Sequence, residues 1–377
     1  MMDFAKGFLR YVMVFCLTVT GIQAQERPQI HNSDMPKNII LIIGDGMGLS
    51  QIQAGLTANF GRLNLLSFNI IGFSKTHSAN DYVTDSGASA TAMATGHKTY
   101  NGAISVGIDS IPLKTILEYA EEEGLSTGLV STSAITHATP AAFIAHNVTR
   151  NDYEGIAADF LKTDIDVFIG GGINHFTRRK DQRNLAQELR DKGYQVMYSM
   201  DSIKLVRSGK LAGLTAAEHN PGIVEGRSKA MLATASETAI NVLSTNKKGF
   251  FLMIEGSQVD WGGHANSTSA VAQEVIDLDK VIGIALSYAK LHKNTLVIVT
   301  ADHETGGMAI TDGSYADARV SAVFASTDHT GIMVPLFAYG PGAFLFQGFQ
   351  ENRDIFTKMM LLYGFKNQVR HSEKLPR

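Results

Sequence analysis

Cysteine is almost absent from this 377-residue chain, and the only one, Cys16, lies in the apolar run Tyr11 to Ile22 near the amino terminus. Lys6 and Arg10 precede that run, and Ala24 offers a small residue before the polar stretch Gln25, Glu26, Arg27, the layout of a secretory signal peptide over residues 1–24. The run is short for a bilayer span, and Met13, Val14 and Phe15 match a lipoprotein cleavage box poorly, so no stable membrane anchor is expected. Cleavage after Ala24 would leave a mature chain, residues 25–377, without any cysteine. That excludes disulfides and thiol catalysis from an exported, periplasmic or extracellular protein, and leaves His, Asp and Glu to hold any metal.

A net positive charge is also lacking. The formal net charge is −3, and removal of Lys6, Arg10 and Asp3 with the leader takes it to about −4. No strongly basic stretch accompanies it, which excludes nucleic acid as a specific partner. A small anion would need a local positive site, and metals could supply one. Internal repeats and low-complexity linkers are missing as well, so residues 25–377 read as a single domain with a composition, 44% apolar and 18% charged, able to bury a large core.

Short continuous apolar runs are abundant. Asn38–Ile43, Leu125–Val130, Asp166–Ile169, Phe250–Ile254, Thr295–Val299 and Val334–Tyr339 each end in glycine or polar residues. Runs of this kind fit strands buried on both faces of a mainly parallel sheet. Helical patterns lie between them, over Ile111–Glu123, Pro140–Thr149, Leu185–Lys192, Ser228–Ser244 and Ser267–Lys290. The alternation predicts an α/β fold, a three-layer α/β/α sandwich. Residues 202–226 show the least periodicity and read as a surface excursion. Ligands of such sheets bind beyond the carboxyl ends of the strands, where Asp45, Glu255, Asp302 and His303 fall.

Residues 81–101, DYVTDSGASATAMATGHKTYN, place Ser86 at a predicted helix start rich in small residues, with Asp85 beside it. A hydroxyl there sits among unpaired N–H groups that suit phosphate. Asp45 stands in a G-D-G-M-G turn, and Leu49 occupies the position where a dinucleotide fingerprint needs glycine. Asp260 and His264, four residues apart, would share one face of a helix and suit a single Zn²⁺. Asp302 and His303 close the strand TLVIVTADH, and His329 in D-H-T-G adds a third histidine. Thr139 and Arg150 flank the predicted Pro140 helix, and arginine suits bidentate phosphate binding. Taken singly, each has an ordinary reading: a capped helix start, a turn aspartate, a surface Asp/His pair, a structural histidine, a surface arginine.

Together, Asp45 in its turn, V-T-D-S-G-A-S-A-T around Ser86, H-A-T-P-A-A with Arg150, E-G-S-Q-V-D-W-G-G-H, T-A-D-H-E-T-G-G and D-H-T-G occur in one order over residues 38–365 that resembles the alkaline phosphatase family. The resemblance implies an exported phosphomonoesterase that takes small phosphate monoesters through a phosphoserine on Ser86. It implies one Zn²⁺ on Asp260, His264 and His329, and a second among Asp45, Asp302, His303 and Ser86. A third ion, usually Mg²⁺, would take Asp45, Thr139 and Glu255, while Arg150 would bind phosphate oxygens. Asp85 would orient the turn. A well-known bacterial pattern has Asp and Lys where this chain has His137 and Trp261. An imidazole near the third site leaves that metal's identity open, and losing the lysine should weaken product binding.

Larger members of that family insert a substantial segment where this chain has 25 residues between His303 and His329. Only a small hairpin fits, which leaves monomer and homodimer both open. Rival readings are a phosphodiesterase, nucleotide pyrophosphatase or sulfatase relative on the same fold, and an exported metal- or phosphate-binding protein without turnover.

Overall fold

The segment Asn38–Gly44 is apolar at every position from Ile39 to Ile43, and all seven residues are buried. Successive side chains of a strand point to opposite faces. Ile39, Leu41 and Ile43 accordingly enter one apolar core, and Ile40 and Ile42 enter another. Each such fully buried side chain contributes about 1.5–3 kcal/mol. A strand apolar on both faces belongs at the middle of a sheet covered on both sides, and that is where the computed structural model, which describes residues 31–365, places it. The expected leader, residues 1–24, lies outside the described residues.

The strands are β1 (Asn38–Gly44), β2 (Ile70–Lys75), β3 (Ser126–Ala134), β4 (Val167–Gly171), β5 (Gln195–Met197), β6 (Leu211–Leu214) and β7 (Phe250–Gly256). They continue with β8 (Thr295–Thr300), β9 (Glu304–Thr305), β10 (Met308–Ser314), β11 (Arg319–Phe324), β12 (His329–Thr330), β13 (Val334–Tyr339) and β14 (Gly348–Glu351). Ten of them form one sheet in the order β14-β2-β13-β8-β1-β7-β3-β4-β6-β5. Within it only β13 runs against its neighbours. Its start lies a few residues past Thr330, at the end of the sheet where β8 finishes, so the chain has to run back. The carboxyl ends of β1, β3, β7 and β8 therefore open on one edge.

Helices cover both faces. Residues of the Ser86–Thr95 and Arg353–Tyr363 helices join the core of Ile39 and Leu41, while the Leu49–Ala58, Met231–Leu243 and Thr268–Leu291 helices join that of Ile40 and Ile42. This is the three-layer α/β/α sandwich that the apolar runs predict. Among the described residues no helix is long and apolar enough to cross a membrane.

Three expectations need correction. The helix predicted over residues 140–149 covers only Ala138–Ala141. Beyond it, Ile104 and Asn147 exchange both backbone hydrogen bonds at 2.9 Å, which takes the Asn147 amide and carbonyl that a longer helix would use. The helix predicted from Ile111 begins at Ile116, where Thr115 and Glu118 form a reciprocal capping box. Residues 202–226 are not an excursion, because β6 within them is buried and pairs with both β4 and β5. Between His303 and His329 the chain forms the antiparallel β10–β11 hairpin.

Candidate active site

Ser86 opens a helix whose ten residues are all buried, which is why they are small. A Cβ on Gly87 would stand 2.9 Å from the Ala103 carbonyl. Asp85 caps the helix, accepting from the Ala88 amide at 2.9 Å through Oδ1, while its Oδ2 accepts from Arg150 NH1 at 2.8 Å. Burial works to raise the Asp85 pKa, and the Arg150 charge with the amide bonds outweighs it and lowers it. The Ser86 hydroxyl lies 3.3 Å from His303 Nε2, and Ser89 ties the same helix to the Asp302 carbonyl at 2.7 Å. The second Arg150 nitrogen, NH2, donates to His137 Nε2 at 3.3 Å.

The sheet edge beside Ser86 carries Asp45 after β1, Glu255 on β7, and Asp302 with His303 after β8, all fully buried. Asp302 Oδ1 accepts from the Gly46 and His303 amides at 3.2 and 3.0 Å, and Glu255 Oε2 accepts from Ser131 at 2.6 Å. The other oxygens have no such partner: both of Asp45, Oδ2 of Asp302, Oε1 of Glu255 and the Thr139 hydroxyl are buried without a hydrogen bond. Such groups cost free energy unless something satisfies them. Burial first, then the charges of Asp302, Asp260 and Glu255, drive the Asp45 pKa well above the ordinary carboxylate value. Burial pushes Glu255 up to about 7.

The histidines are held from behind through Nδ1. His264 Nδ1–H donates to the Thr327 carbonyl at 2.6 Å and His329 Nδ1–H to the Thr84 carbonyl at 2.9 Å. Thr305 donates to Asp260 Oδ1 at 2.5 Å, so its oxygen accepts from His303 Nδ1–H at 3.2 Å. Each ring thus turns Nε2 toward carboxylates: His264 and His329 to Asp260 at 3.3 and 3.5 Å, His303 to Asp45 and Asp302 at 3.4 and 3.3 Å, and the hydrogen bond to Asp260 pushes the His264 pKa up to about 9. An outer hydrogen bond on Nδ1 with Nε2 facing inward is the arrangement of metal-ligating histidines.

Three groups therefore have ligand atoms within 4.8 Å of one another: Asp260 with His264 and His329, Asp45 with Asp302 and His303, and Asp45 with His137 and Glu255. Nitrogen and carboxylate donors on a tetrahedral scale suit Zn²⁺ in the first two. The third contains more buried oxygen, counting the Thr139 hydroxyl beside Glu255. His137 enters that set directly, where the sequence placed it only nearby; burial, then the Arg150 charge, pushes its pKa down to about 3.

Several participants escaped the sequence reading. Thr305 orients two candidate ligands, and Glu304, accepting from Gln51, Met308 and Thr330, holds the loop that carries them. His219 packs against both Trp261 and His137. Only Thr305 and Glu304 had a signal, their adjacency to His303.

A model of the alkaline phosphatase family matches residues 36–322. Alkaline phosphatase 4 of Bacillus subtilis (strain 168) is 36% identical over 84% of this chain and 87% of its own length. The solved alkaline phosphatase of the Antarctic bacterium TAB5 is 42% identical, with a TM-score of 0.83 over 88% of this chain and 100% of that one. A variant of that protein with a histidine replaced by aspartate, solved with Mg bound in its M3 site, has a TM-score of 0.83 and 41% identity over 88% of this chain and 99% of that one.

Proposed function

Because the chain belongs to the alkaline phosphatase family, we propose that it is an exported phosphomonoesterase that forms a phosphoserine on Ser86 beside two Zn²⁺ sites and a third, Mg²⁺-type site. The observation that carries this reading is the set of buried, unpartnered carboxylate oxygens and inward-facing Nε2 atoms next to a hydroxyl at a helix start.

Asp260, His264 and His329 would hold one zinc, and Asp45, Asp302 and His303, with Ser86 after it loses its proton, the other. Asp45, Glu255, Thr139 and His137 would hold the third ion; the Mg-bound TAB5 variant supports an ion site of this kind. When bound, these ions would offset the carboxylate charge, polarise the phosphate and stabilise the entering and leaving oxygens.

The chain's own groups do the rest. Arg150, held from behind by Asp85 and His137, binds two non-bridging phosphate oxygens as a planar fork. The Ser86 oxygen attacks phosphorus, the bond to the ester oxygen breaks, and the alcohol leaves with a proton. Water then attacks the phosphoserine from the face the alcohol vacated, opposite the Ser86 oxygen, which leaves with a proton from that water to restore the serine and release inorganic phosphate. Two in-line displacements give net retention at phosphorus.

A substrate panel on protein of measured metal content tests the proposal. An aryl phosphate monoester should turn over with a burst of alcohol, far faster than the matching diester or sulfate ester. Faster diester or sulfate hydrolysis would move the protein to another reaction class, and no turnover of any ester would leave it a binding protein. Export is tested by the amino terminus of protein recovered outside the cytoplasm, expected at Gln25.

A further inference from the structure

Against His137 and Trp261 packs His219, which no step of the reaction requires. It lies on a turn pinned from both sides. The Gly172 and Ile173 amides donate to the Ala216 carbonyl at 2.9 and 3.0 Å, and the Asn174 amide donates to Ala217 at 3.0 Å. On the far side Asn220 donates to the Thr132 carbonyl at 3.2 Å and accepts from Gln258 at 2.7 Å. Arg227, buried against Glu274 and Asp277 at 2.5 and 3.2 Å, locks the end of the segment to the Thr268–Leu291 helix. The turn is a fixed platform.

His219 Nδ1 accepts from the Ala134 amide at 3.0 Å. An accepting nitrogen carries no proton, so the ring is the Nε2–H tautomer. Its plane stands at 86° to Trp261, centroids 4.9 Å apart, and at 87° to His137, centroids 5.4 Å apart. Trp261 and His137 are themselves perpendicular, at 87° and 6.2 Å. Three rings in mutual edge-to-face contact restrain one another's rotamers. His137 accepts from Arg150 NH2. A continuous path thus runs from the Ala134 backbone through His219 and His137 to the guanidinium.

We propose that His219 is a positioning residue for phosphate recognition: its ring holds Trp261 and His137 at right angles and, through His137, sets the orientation of Arg150. The proposal rests on the reading of Arg150 as the phosphate-binding group. His219 itself touches neither the phosphate nor the reacting oxygens in this account.

Trp261 is the chain's single tryptophan, so its emission reports this ring cluster alone. The test uses metal-loaded wild type, His219→Ala and His219→Asn. Asparagine can offer Oδ1 to the Ala134 amide and lacks the ring, which separates holding the turn from packing the rings. Inorganic phosphate inhibition, tryptophan emission and melting temperature are measured together. For His219→Ala we expect the phosphate inhibition constant to rise about fivefold, with a shifted emission maximum and a lowered melting temperature. His219→Asn should recover the melting temperature while the inhibition constant and emission stay altered. Wild-type inhibition and emission in either variant would overturn the proposal, as would recovery of all three properties by asparagine. If wild type hydrolyses the monoester but Arg150→Ala binds phosphate equally well, the reading of Arg150 fails first and takes this inference with it.

Discussion

Asp45→Asn should change stability in opposite directions with and without metal. The Asp45 carboxylate is fully buried, neither oxygen has a hydrogen-bond partner, and Asp302, Asp260 and Glu255 all act to raise its pKa. In chelated protein the amide removes a buried like charge; from the cost of uncompensated buried charges we take about 2 kcal/mol of relief. In loaded protein the same change removes a ligand shared by two sites, and losing an ion present at about a thousand times its Kd costs about 4 kcal/mol. Residues 31–365 at about 2.1 cal/mol/K each give an unfolding entropy of about 0.7 kcal/mol/K. The expected shifts in Tm are therefore about +3 °C with chelator and about −6 °C with saturating Zn²⁺ and Mg²⁺. Scanning calorimetry at pH 8 in the two buffers reads both. The chelated difference should shrink in acid. A carboxyl whose folded pKa is raised contributes stability below its unfolded pKa, 3.8 for Asp45, and loses it as pH rises through the folded value. Chelated wild type thus gains on acidification toward pH 5, and the variant does not share the Asp45 part of that gain. Shifts of the same sign in both buffers would refute the reasoning.

Arg150→Ala removes the groups that bond Asp85 and His137 and should lower kcat/KM for a monoester by about 10–100-fold, the worth of a charge-assisted pair; a loss under threefold at unchanged metal content would count against it. Thr305→Val deletes the hydroxyl between Asp260 and His303 and should weaken zinc binding by about 10–100-fold in chelator competition, with an unaltered affinity contradicting the assigned role. Glu121, far from the site, has its pKa pushed by burial from 4.5 up to about 7. The folded state therefore favours its proton: the contribution is present below 4.5 and is lost as pH rises through 7. Glu121→Gln should raise stability at pH 8.5 by ~1 kcal/mol, well under the full shift because the group is part-exposed, and leave it nearly unchanged at pH 4; equal effects at both pH values in denaturant melts would show that the carboxylate is not strained.

The central strands were legible because NIILII, FFLMIE and TLVIVT are apolar on both faces, a pattern that only an interior strand needs. Shorter strands escaped. LAGL in β6 has too few residues to show a period, and β2 and β14 at the sheet margin alternate weakly. The Pro140 segment has good helical composition, yet pairing with Ile104 takes the Asn147 amide and carbonyl; a partner about forty positions upstream leaves no local mark. Candidate ligands could be picked out because strand ends concentrate chemistry in an α/β sheet, and Asp45, Glu255 and Asp302 each end or follow an obvious strand. His219 could not, since its meaning lies in Ala134, His137 and Trp261, none near it in sequence. Ser86 is the mixed case. Its segment suits phosphate locally, but the 3.3 Å approach to His303 Nε2 depends on a residue 217 positions away.

The phosphoserine on Ser86 is tested by quenching metal-loaded protein in acid during turnover of a phosphate monoester and locating the phosphoryl group by peptide mass. One phosphoryl group is expected on Ser86, absent from Ser86→Ala together with turnover. Steady hydrolysis with no label at Ser86, and a Ser86→Ala variant that still turns over, would contradict it.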